Sequence, residues 1–144
     1  MTKIKFCGLT RPEDIAAANA LKPEYIGFVF APKSKRYVSP QQAAQLRAQL
    51  SPAIKAVGVF VNEPPEAVAR LLNEAIIDIA QLHGQEDAAY LARLRSLTAK
   101  PLWQAFRVEN AAGLAAAARS TADMVLLDSG AGGTGTVFNW KLLQ

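Results

Sequence analysis

The sequence contains only one cysteine and one histidine among its 144 residues. A single thiol, Cys7, excludes an intrachain disulfide and favours a reducing compartment, so we expect a cytoplasmic protein. No group of these residues shows the spacing of metal ligands, which argues against a metal site. No apolar run reaches the roughly 18 residues of a membrane-spanning helix, and the first residues lack the apolar segment of a signal peptide. We therefore expect neither a membrane segment nor a leader.

Charge is also sparse, at 19% of the residues, with a net charge of +4. The basic residues are scattered along the chain instead of forming a patch, so they favour anionic partners only weakly and give no surface for nucleic acid. Hydrophobic residues make up 51% of the chain, which excludes a disordered protein. The length predicts a single domain that spans residues 1–144.

Six short apolar runs alternate with amphipathic segments. Runs rich in β-branched and aromatic residues are typical of buried parallel strands. A period of roughly 20 to 30 residues suits one strand–helix unit, and repetition of that unit predicts either an open doubly wound sheet or a closed barrel. The predicted strands are 4–7, 25–30, 56–61, 77–82, 102–106 and 124–128, and the predicted helices are 12–21, 39–50, 64–75, 86–97, 109–118 and a last one from 140.

Polar and reactive side chains follow the predicted strands. In both α/β architectures, functional groups gather at the carboxyl ends of the strands. Cys7 ends the first strand, Arg36 follows the second, His83 follows the fourth and Asp128 ends the sixth. General acid–base chemistry needs two titratable groups that approach a substrate from different sides. A closed or nearly closed barrel would place Cys7 and Asp128 on opposite sides of one cleft.

These candidates also have ordinary structural explanations. A lone cysteine such as Cys7 is often a small buried hydrophobe. Asp128 could brace the following loop through an Asx turn, and His83 could be a hydrogen-bonded residue at a strand end. Residues 130–135 match the G-x-G-x-x-G pattern of dinucleotide sites, but the helix, strand and acidic residue that should follow are missing. Their absence argues against a nucleotide site. The glycines then favour a loop whose backbone approaches a ligand closely.

Taken together, the strand ends resemble those of the phosphoribosylanthranilate isomerase family. The members of this family are (β/α)₈-barrel enzymes of tryptophan biosynthesis. The resemblance covers the whole chain in the family's order, and six stretches in register make it specific. The matching stretches are Lys-Phe-Cys-Gly-Leu-Thr (5–10), Gly-Phe-Val-Phe (27–30), Ser-Lys-Arg-Tyr-Val-Ser (34–39), Val-Gly-Val-Phe-Val-Asn (57–62), Gln-Leu-His-Gly (81–84) and Leu-Asp-Ser (127–129), the last followed by Gly-Gly-Thr-Gly (132–135) and Phe-Asn-Trp (138–140).

The resemblance implies an Amadori rearrangement of N-(5'-phosphoribosyl)anthranilate, an aminoaldose, to an aminoketose. It implies that Asp128 is the general acid that opens the ribose ring and that Cys7 is the general base that removes the proton from the sugar C2. It implies neither a cofactor nor a metal. The partner is then a small anionic phosphosugar.

The resemblance also implies substrate-binding residues. Arg36 would hold the anthranilate carboxylate, for which a guanidinium fork is well suited. His83 would line the pocket without an assigned chemical role. Gly132 and Gly133 would contact the substrate from the loop after the sixth strand.

The chain departs from the family in length. Six units of about 24 residues account for it, whereas eight need about 200 residues or more. We therefore expect a C-terminally truncated barrel without strands seven and eight, whose loops commonly bind phosphate. Three explanations are open: a fragment of a longer protein, an omitted tail, or copies that supply the missing walls to one another.

Two alternative functions remain at this point. One is an inactive barrel fragment that associates with itself through its open sheet edges. The other is a different barrel enzyme that acts on phosphoribosyl or indole-glycerol phosphates. The pairing of Cys7 with Asp128 argues against the second alternative.

Overall fold

The computed structural model describes residues 1–130, 135 and 137–144. Strands and helices alternate along the chain, as the apolar runs predict. The elements are β1 (Lys5–Cys7), α1 (Pro12–Leu21), β2 (Tyr25–Val29), α2 (Pro40–Gln49), β3 (Lys55–Phe60), α3 (Pro65–Asn73), β4 (Ile79–Leu82), α4 (Ala88–Leu97), β5 (Leu102–Arg107), α5 (Ala111–Ala118), β6 (Met124–Asp128) and a 3₁₀ helix (Trp140–Leu143).

The strands form one parallel sheet in the order β1-β2-β3-β4-β5-β6. Each strand pairs with the next one along the chain, so each of the five helices is the crossover between two neighbouring strands. Right-handed crossovers that all advance in one direction place their helices on the same side of the sheet. The sequence order of the strands therefore produces a two-layer structure, in which the five α-helices of the described residues cover one face of the sheet.

The side chains divide between the two faces of the sheet. The larger core cluster combines strand residues such as Phe28 and Leu82 with helix residues such as Leu72 and Leu94, all fully buried. The smaller cluster contains strand residues alone, namely Val57, Ile79 and Trp103. The first cluster is the layer between sheet and helices, and the second is the inner face of a curved sheet.

The curvature shows in a side-chain contact between two strands that are not neighbours. The Lys5 ammonium on β1 donates to the Gln81 side-chain oxygen on β4, although β2 and β3 lie between these strands. A flat sheet would keep side chains of the first and fourth strands about 14 Å apart at the strand spacing of 4.7–4.9 Å. The sheet is therefore curled like part of a barrel wall.

Most element boundaries differ by one or two residues from the sequence-based prediction, and two differences change the description of an element. Strand β4 begins at Ile79 instead of residue 77, since Asp78 directs its carboxylate to the backbone N–H of Ala56. The last segment forms a 3₁₀ helix of 4 residues at Trp140–Leu143 instead of an α-helix. No helix in the described part of the chain is long and apolar enough to cross a membrane.

Candidate active site

The carboxyl ends of the six strands meet at one rim of the sheet, because all the strands are parallel. Side chains alternate between the two faces of a strand. Phe6 and Leu82 pack on the helix side, so their neighbours Cys7 and His83 face the concave side. Leu126 packs in the inner cluster, so Asp128, two residues later, also faces the concave side. The structure thus places these three sequence-predicted residues on one face of the rim.

Asp128 and His83 are in direct contact. His83 Nε2 lies 3.4 Å from Asp128 Oδ2, and the two side chains are 25% and 33% exposed. The other carboxylate oxygen, Oδ1, accepts a hydrogen bond of 2.7 Å from the backbone N–H of Ser129. The Asp128 carbonyl accepts another, of 2.8 Å, from Val108 N–H. Asp128 is therefore held from both sides while it stays open to solvent.

The Cys7 thiol owes its position to a glycine on the neighbouring strand. Gly27 is the register partner of Cys7, and a Cβ at Gly27 would lie 2.7 Å from Cys7 Sγ. No side chain can occupy that space while the sulfur is there. The Gly27 carbonyl also accepts hydrogen bonds from the N–H groups of Gly8 and Leu9, at 2.9 and 3.1 Å. The end of β1 and its thiol are thereby fixed against β2.

Arg36 lies over the same end of β1. Its Nη1 donates to the Cys7 carbonyl at 3.3 Å, and its backbone N–H donates to Ser34 Oγ at 3.1 Å. Gly8 has φ +85°, and a Cβ there would come within 2.7 Å of Arg36 Nη1. Among the described residues Arg36 forms no ion pair with a carboxylate. The guanidinium is therefore placed beside the Cys7 backbone with donors available for an anion.

A cavity of about 340 Å³ opens at this rim. His83 and Arg107 line it, and Arg107 is the register neighbour of Asp128 across β5 and β6. A larger cavity of about 410 Å³ lies on the helix side, where Phe30, Tyr37 and Leu71 contribute to its wall. Among the described residues, none of the sequence-predicted site residues lines the larger cavity, and His83 alone of them lines the cavity at the rim.

A buried carboxylate shapes that rim. Glu86 accepts hydrogen bonds of 2.9 Å from the backbone N–H of Asn62 through Oε1 and from that of Gly84 through Oε2. The backbone carbonyl of Glu86 accepts a hydrogen bond of 2.7 Å from the Gln104 side-chain amide. Glu86 thus joins the loops after β3 and β4, and His83 lies in the second of these loops. One charged residue, only 7% exposed, positions two walls of the cavity.

A family model described as N-(5'-phosphoribosyl)anthranilate (PRA) isomerase matches residues 4–144. The chain belongs to this family. It is 48% identical to the N-(5'-phosphoribosyl)anthranilate isomerase of Dechloromonas aromatica over 148 aligned residues, which cover 99% of this chain and 69% of the relative. It is 41% identical to that of Thermoanaerobacter pseudethanolicus, with 100% of this chain and 71% of the relative covered.

Solved structures give the same result. The crystal structure of the phosphoribosyl anthranilate isomerase from Thermus thermophilus matches with a TM-score of 0.86 at 36% identity, over 98% of this chain and 69% of that one. Both the family and the barrel-type fold that the strand ends predict are therefore confirmed, and the chain spans about 70% of the length of its relatives.

The remaining predicted site residues lie outside the geometry above. Gly132 and Gly133 are outside the described residues. Sequence reasoning missed two contributors to the rim, Glu86 and Arg107. A signal for Glu86 was present, since it follows the His83-Gly84 pair by only a few residues in a helix-start segment. Its role as a clamp between two loops depends on contacts that no spacing indicates.

Proposed function

We propose that the concave rim catalyses the family's reaction, the conversion of N-(5'-phosphoribosyl)anthranilate into 1-(2-carboxyphenylamino)-1-deoxyribulose 5-phosphate, an isomerisation of tryptophan biosynthesis. In this proposal Asp128 is the general acid and Cys7 the general base. The observation that carries it is that both side chains extend from the same face of one curled sheet, from its first and last strands. A substrate held between them would be approached from two sides.

The first step opens the ribose ring. Asp128 gives its proton to the ring oxygen, the bond from that oxygen to C1 breaks, and the nitrogen lone pair forms a C=N bond to C1. The products are a free hydroxyl, a protonated Schiff base and the Asp128 carboxylate. His83 Nε2, 3.4 Å from Asp128 Oδ2, can then donate to the carboxylate that has just formed.

The second step moves the double bond. The iminium group is an electron sink, so the C2 hydrogen becomes acidic and the Cys7 thiolate removes it. The C–H electrons form a C1=C2 bond and the C=N electrons return to nitrogen. The resulting enol loses its hydroxyl proton and C1 gains one, which gives the ketone. Atoms and electrons balance without any co-reactant.

Arg36 is suited to the anthranilate carboxylate. It lies beside the Cys7 carbonyl, and a carboxylate there would receive two parallel N–H donors. One solved member of the family, 34% identical to this chain, is in complex with reduced 1-(O-carboxyphenylamino)-1-deoxyribulose 5-phosphate, a compound that carries such a carboxylate and a phosphate. A contact of Gly132 and Gly133 with the substrate stays a prediction.

The test follows the loss of anthranilate fluorescence when the purified chain is given N-(5'-phosphoribosyl)anthranilate. Replacement of Cys7 by Ala, or of Asp128 by Asn, should each lower kcat by about 10² to 10⁴-fold. The matched control is Asp123→Asn, which changes an aspartate at the other end of β6 and should keep kcat. Equal turnover of Asp128→Asn and Asp123→Asn would exclude Asp128 as the acid.

A separate measurement tests Arg36. Arg36→Ala should raise KM more than it lowers kcat, because the carboxylate is bound in both ground and transition states. Arg36→Lys keeps the charge but loses the fork, so it should recover part of the affinity. A loss confined to kcat would remove Arg36 from substrate binding.

We further propose that copies of the chain associate through the sheet edges. Within the described residues β1 pairs only with β2, and β6 pairs only with β5. Unpaired edges favour pairing with another chain. Size-exclusion chromatography over a concentration series should show an oligomer, and a monomer at every concentration would contradict the proposal.

The single thiol supports a reducing, cytoplasmic location.

A further inference from the structure

Lys5 is a partly buried cation that the proposed chemistry does not use. It lies on β1 two residues before Cys7, and Phe6 between them packs on the helix side. Lys5 and Cys7 therefore share the concave face. Burial lowers the pKa of the Lys5 ammonium, and the nearby Cys7 charge partly offsets that lowering. A cation in this position needs a structural reason, because desolvation of a charge is costly.

The partner of Lys5 explains its place. The Lys5 ammonium donates to the side-chain oxygen of Gln81, which is only 4% exposed and lies on β4. Because β2 and β3 separate these strands in the sheet, the hydrogen bond crosses the concave face instead of following the sheet. No ion pair of Lys5 is found in the described part of the chain, so Gln81 is its anchor.

The same two strands carry the proposed reacting groups one pleat further on. Cys7 follows Lys5 by two residues on β1, and His83 follows Gln81 by two residues at the end of β4. Two residues advance a strand by about 6.6 Å, so the hydrogen bond lies directly beneath the site. His83 in turn contacts Asp128. The distance from Cys7 to Asp128 across the site therefore depends on how β1 is held against β4.

We propose that the Lys5–Gln81 hydrogen bond, here called the Lys5–Gln81 bridge, is a positioning device that sets the separation between Cys7 and the His83–Asp128 pair. This inference rests on the proposed function only in that Cys7 and Asp128 are taken as the reacting groups. Lys5 and Gln81 are positioning residues, since neither needs to touch the substrate. Misplacement of a reacting group by about 1 Å can cost about 10²-fold in rate.

Four variants test the bridge. Lys5→Met and Gln81→Leu each break it, and the double variant K5M/Q81L breaks it without leaving an unpaired polar group, so it folds even where a single variant does not. The swap K5Q/Q81K restores the hydrogen bond with donor and acceptor exchanged. Asn19→Ala is the matched control, because it removes two hydrogen bonds, to Gln49 and Ser51, at the opposite rim.

The first measurement needs no turnover. Cys7 is the only cysteine, so Asp128→Cys supplies a second thiol, and dibromobimane becomes fluorescent when both of its arms have reacted. The rate of bridging between the two thiols should fall at least about threefold when Lys5→Met, Gln81→Leu or the double variant is added. The swap should restore it, and Asn19→Ala should leave it unchanged.

The second measurement is kinetic, on chains that keep Asp128. Each bridge variant should lower kcat about tenfold with KM within about twofold, and the double variant should lose no more than a single one, because the two residues act as a unit. Unchanged bridging, additive losses in kcat, or an equal loss in Asn19→Ala would overturn the proposal. Failure of the proposed function shows separately, as turnover that survives Cys7→Ala and Asp128→Asn.

Discussion

The two rims of the sheet differ in how their arginines are paired with carboxylates. At the amino-terminal rim, three acidic residues each lie directly before a strand and accept a hydrogen bond from a backbone N–H at, or next to, the start of the preceding strand. The hydrogen bond from Ile4 N–H to Glu24 is 2.7 Å long. Those from Ala56 N–H to Asp78 and from Leu102 N–H to Asp123 are both 2.8 Å long. These contacts join β1 to β2, β3 to β4 and β5 to β6.

Arginines complete this arrangement at two of the three positions. Asp78 pairs with Arg47 at 2.7 Å, and Asp123 pairs with Arg95 at 2.9 Å. At the carboxyl-terminal rim, by contrast, Arg36 and Arg107 have no carboxylate partner among the described residues. The paired arginines at the amino-terminal rim stabilise the fold. At the carboxyl-terminal rim Arg36 and Arg107 stay available for a ligand, and barrels of this type generally bind their ligands at that rim.

Among the tests of this comparison, the largest expected effect comes from a glycine at the carboxyl-terminal rim. Gly27→Ala should lower kcat about 10²-fold, since the added Cβ would lie 2.7 Å from Cys7 Sγ and displace the thiol. Gly58→Ala is the control, because its Cβ would meet Ile77 in the helix-side core at 2.6 Å. That variant should cost about 1 to 3 kcal/mol of stability while folded molecules keep their kcat. A normal kcat in Gly27→Ala would break the division between the rims.

The next effect concerns stability at the amino-terminal rim. Asp78→Ala leaves Arg47 and the Ala56 N–H without their acceptor, and we expect a loss of about 2 to 4 kcal/mol in urea unfolding. Asp123→Ala makes the same kind of change, but its side chain is 48% exposed against 21% for Asp78, so its loss should be near 1 kcal/mol. An equal loss at both positions would show that exposure does not decide the energy.

A smaller effect on both properties is expected at Glu86, which is buried like a structural residue but lies at the functional rim. Glu86→Gln replaces one of the two acceptor oxygens that hold Asn62 and Gly84. We expect about 1 to 2 kcal/mol of destabilisation. We also expect a raised KM, because His83 lies in the loop that Glu86 holds and would move with it. Glu66→Gln, in an exposed pair with Arg93, should change stability by less than about 0.5 kcal/mol and leave KM alone.

The smallest effect is a pH dependence at the start of α1. The hydrogen bond from the Arg11 side chain, followed by that from Thr10 N–H, lowers the pKa of Asp14 to about 2. Because the folded pKa lies below the unfolded value, this stabilisation is present above about pH 4 and is lost as the pH falls toward 2. The difference in Tm between the natural chain and Asp14→Asn should vanish over that window. A difference that persists at pH 2 would contradict the assignment.

The order of strands and helices follows from the sequence with few errors, since near-continuous apolar runs and amphipathic segments are local signals. The strand containing Ile79 was predicted two residues too long, because Ile77 is as apolar as the strand itself yet packs in the helix-side core. The candidate residues Cys7, Arg36, His83 and Asp128 were found through their places after strands and through the family resemblance. Their chemical roles stay predictions.

What the sequence alone determined was the alternation of buried strands and amphipathic helices, and the rim at which reactive side chains gather. The alternation depends on neighbours along the chain, so it is a local signal. The rim follows because parallel strands share one direction and therefore end on the same side of the sheet. The tertiary structure decided which distant groups meet: Lys5 with Gln81, His83 with Asp128, and Glu86 with two loops. Such contacts depend on the curvature of the sheet, which sums small twists over many strands, so no local pattern encodes them.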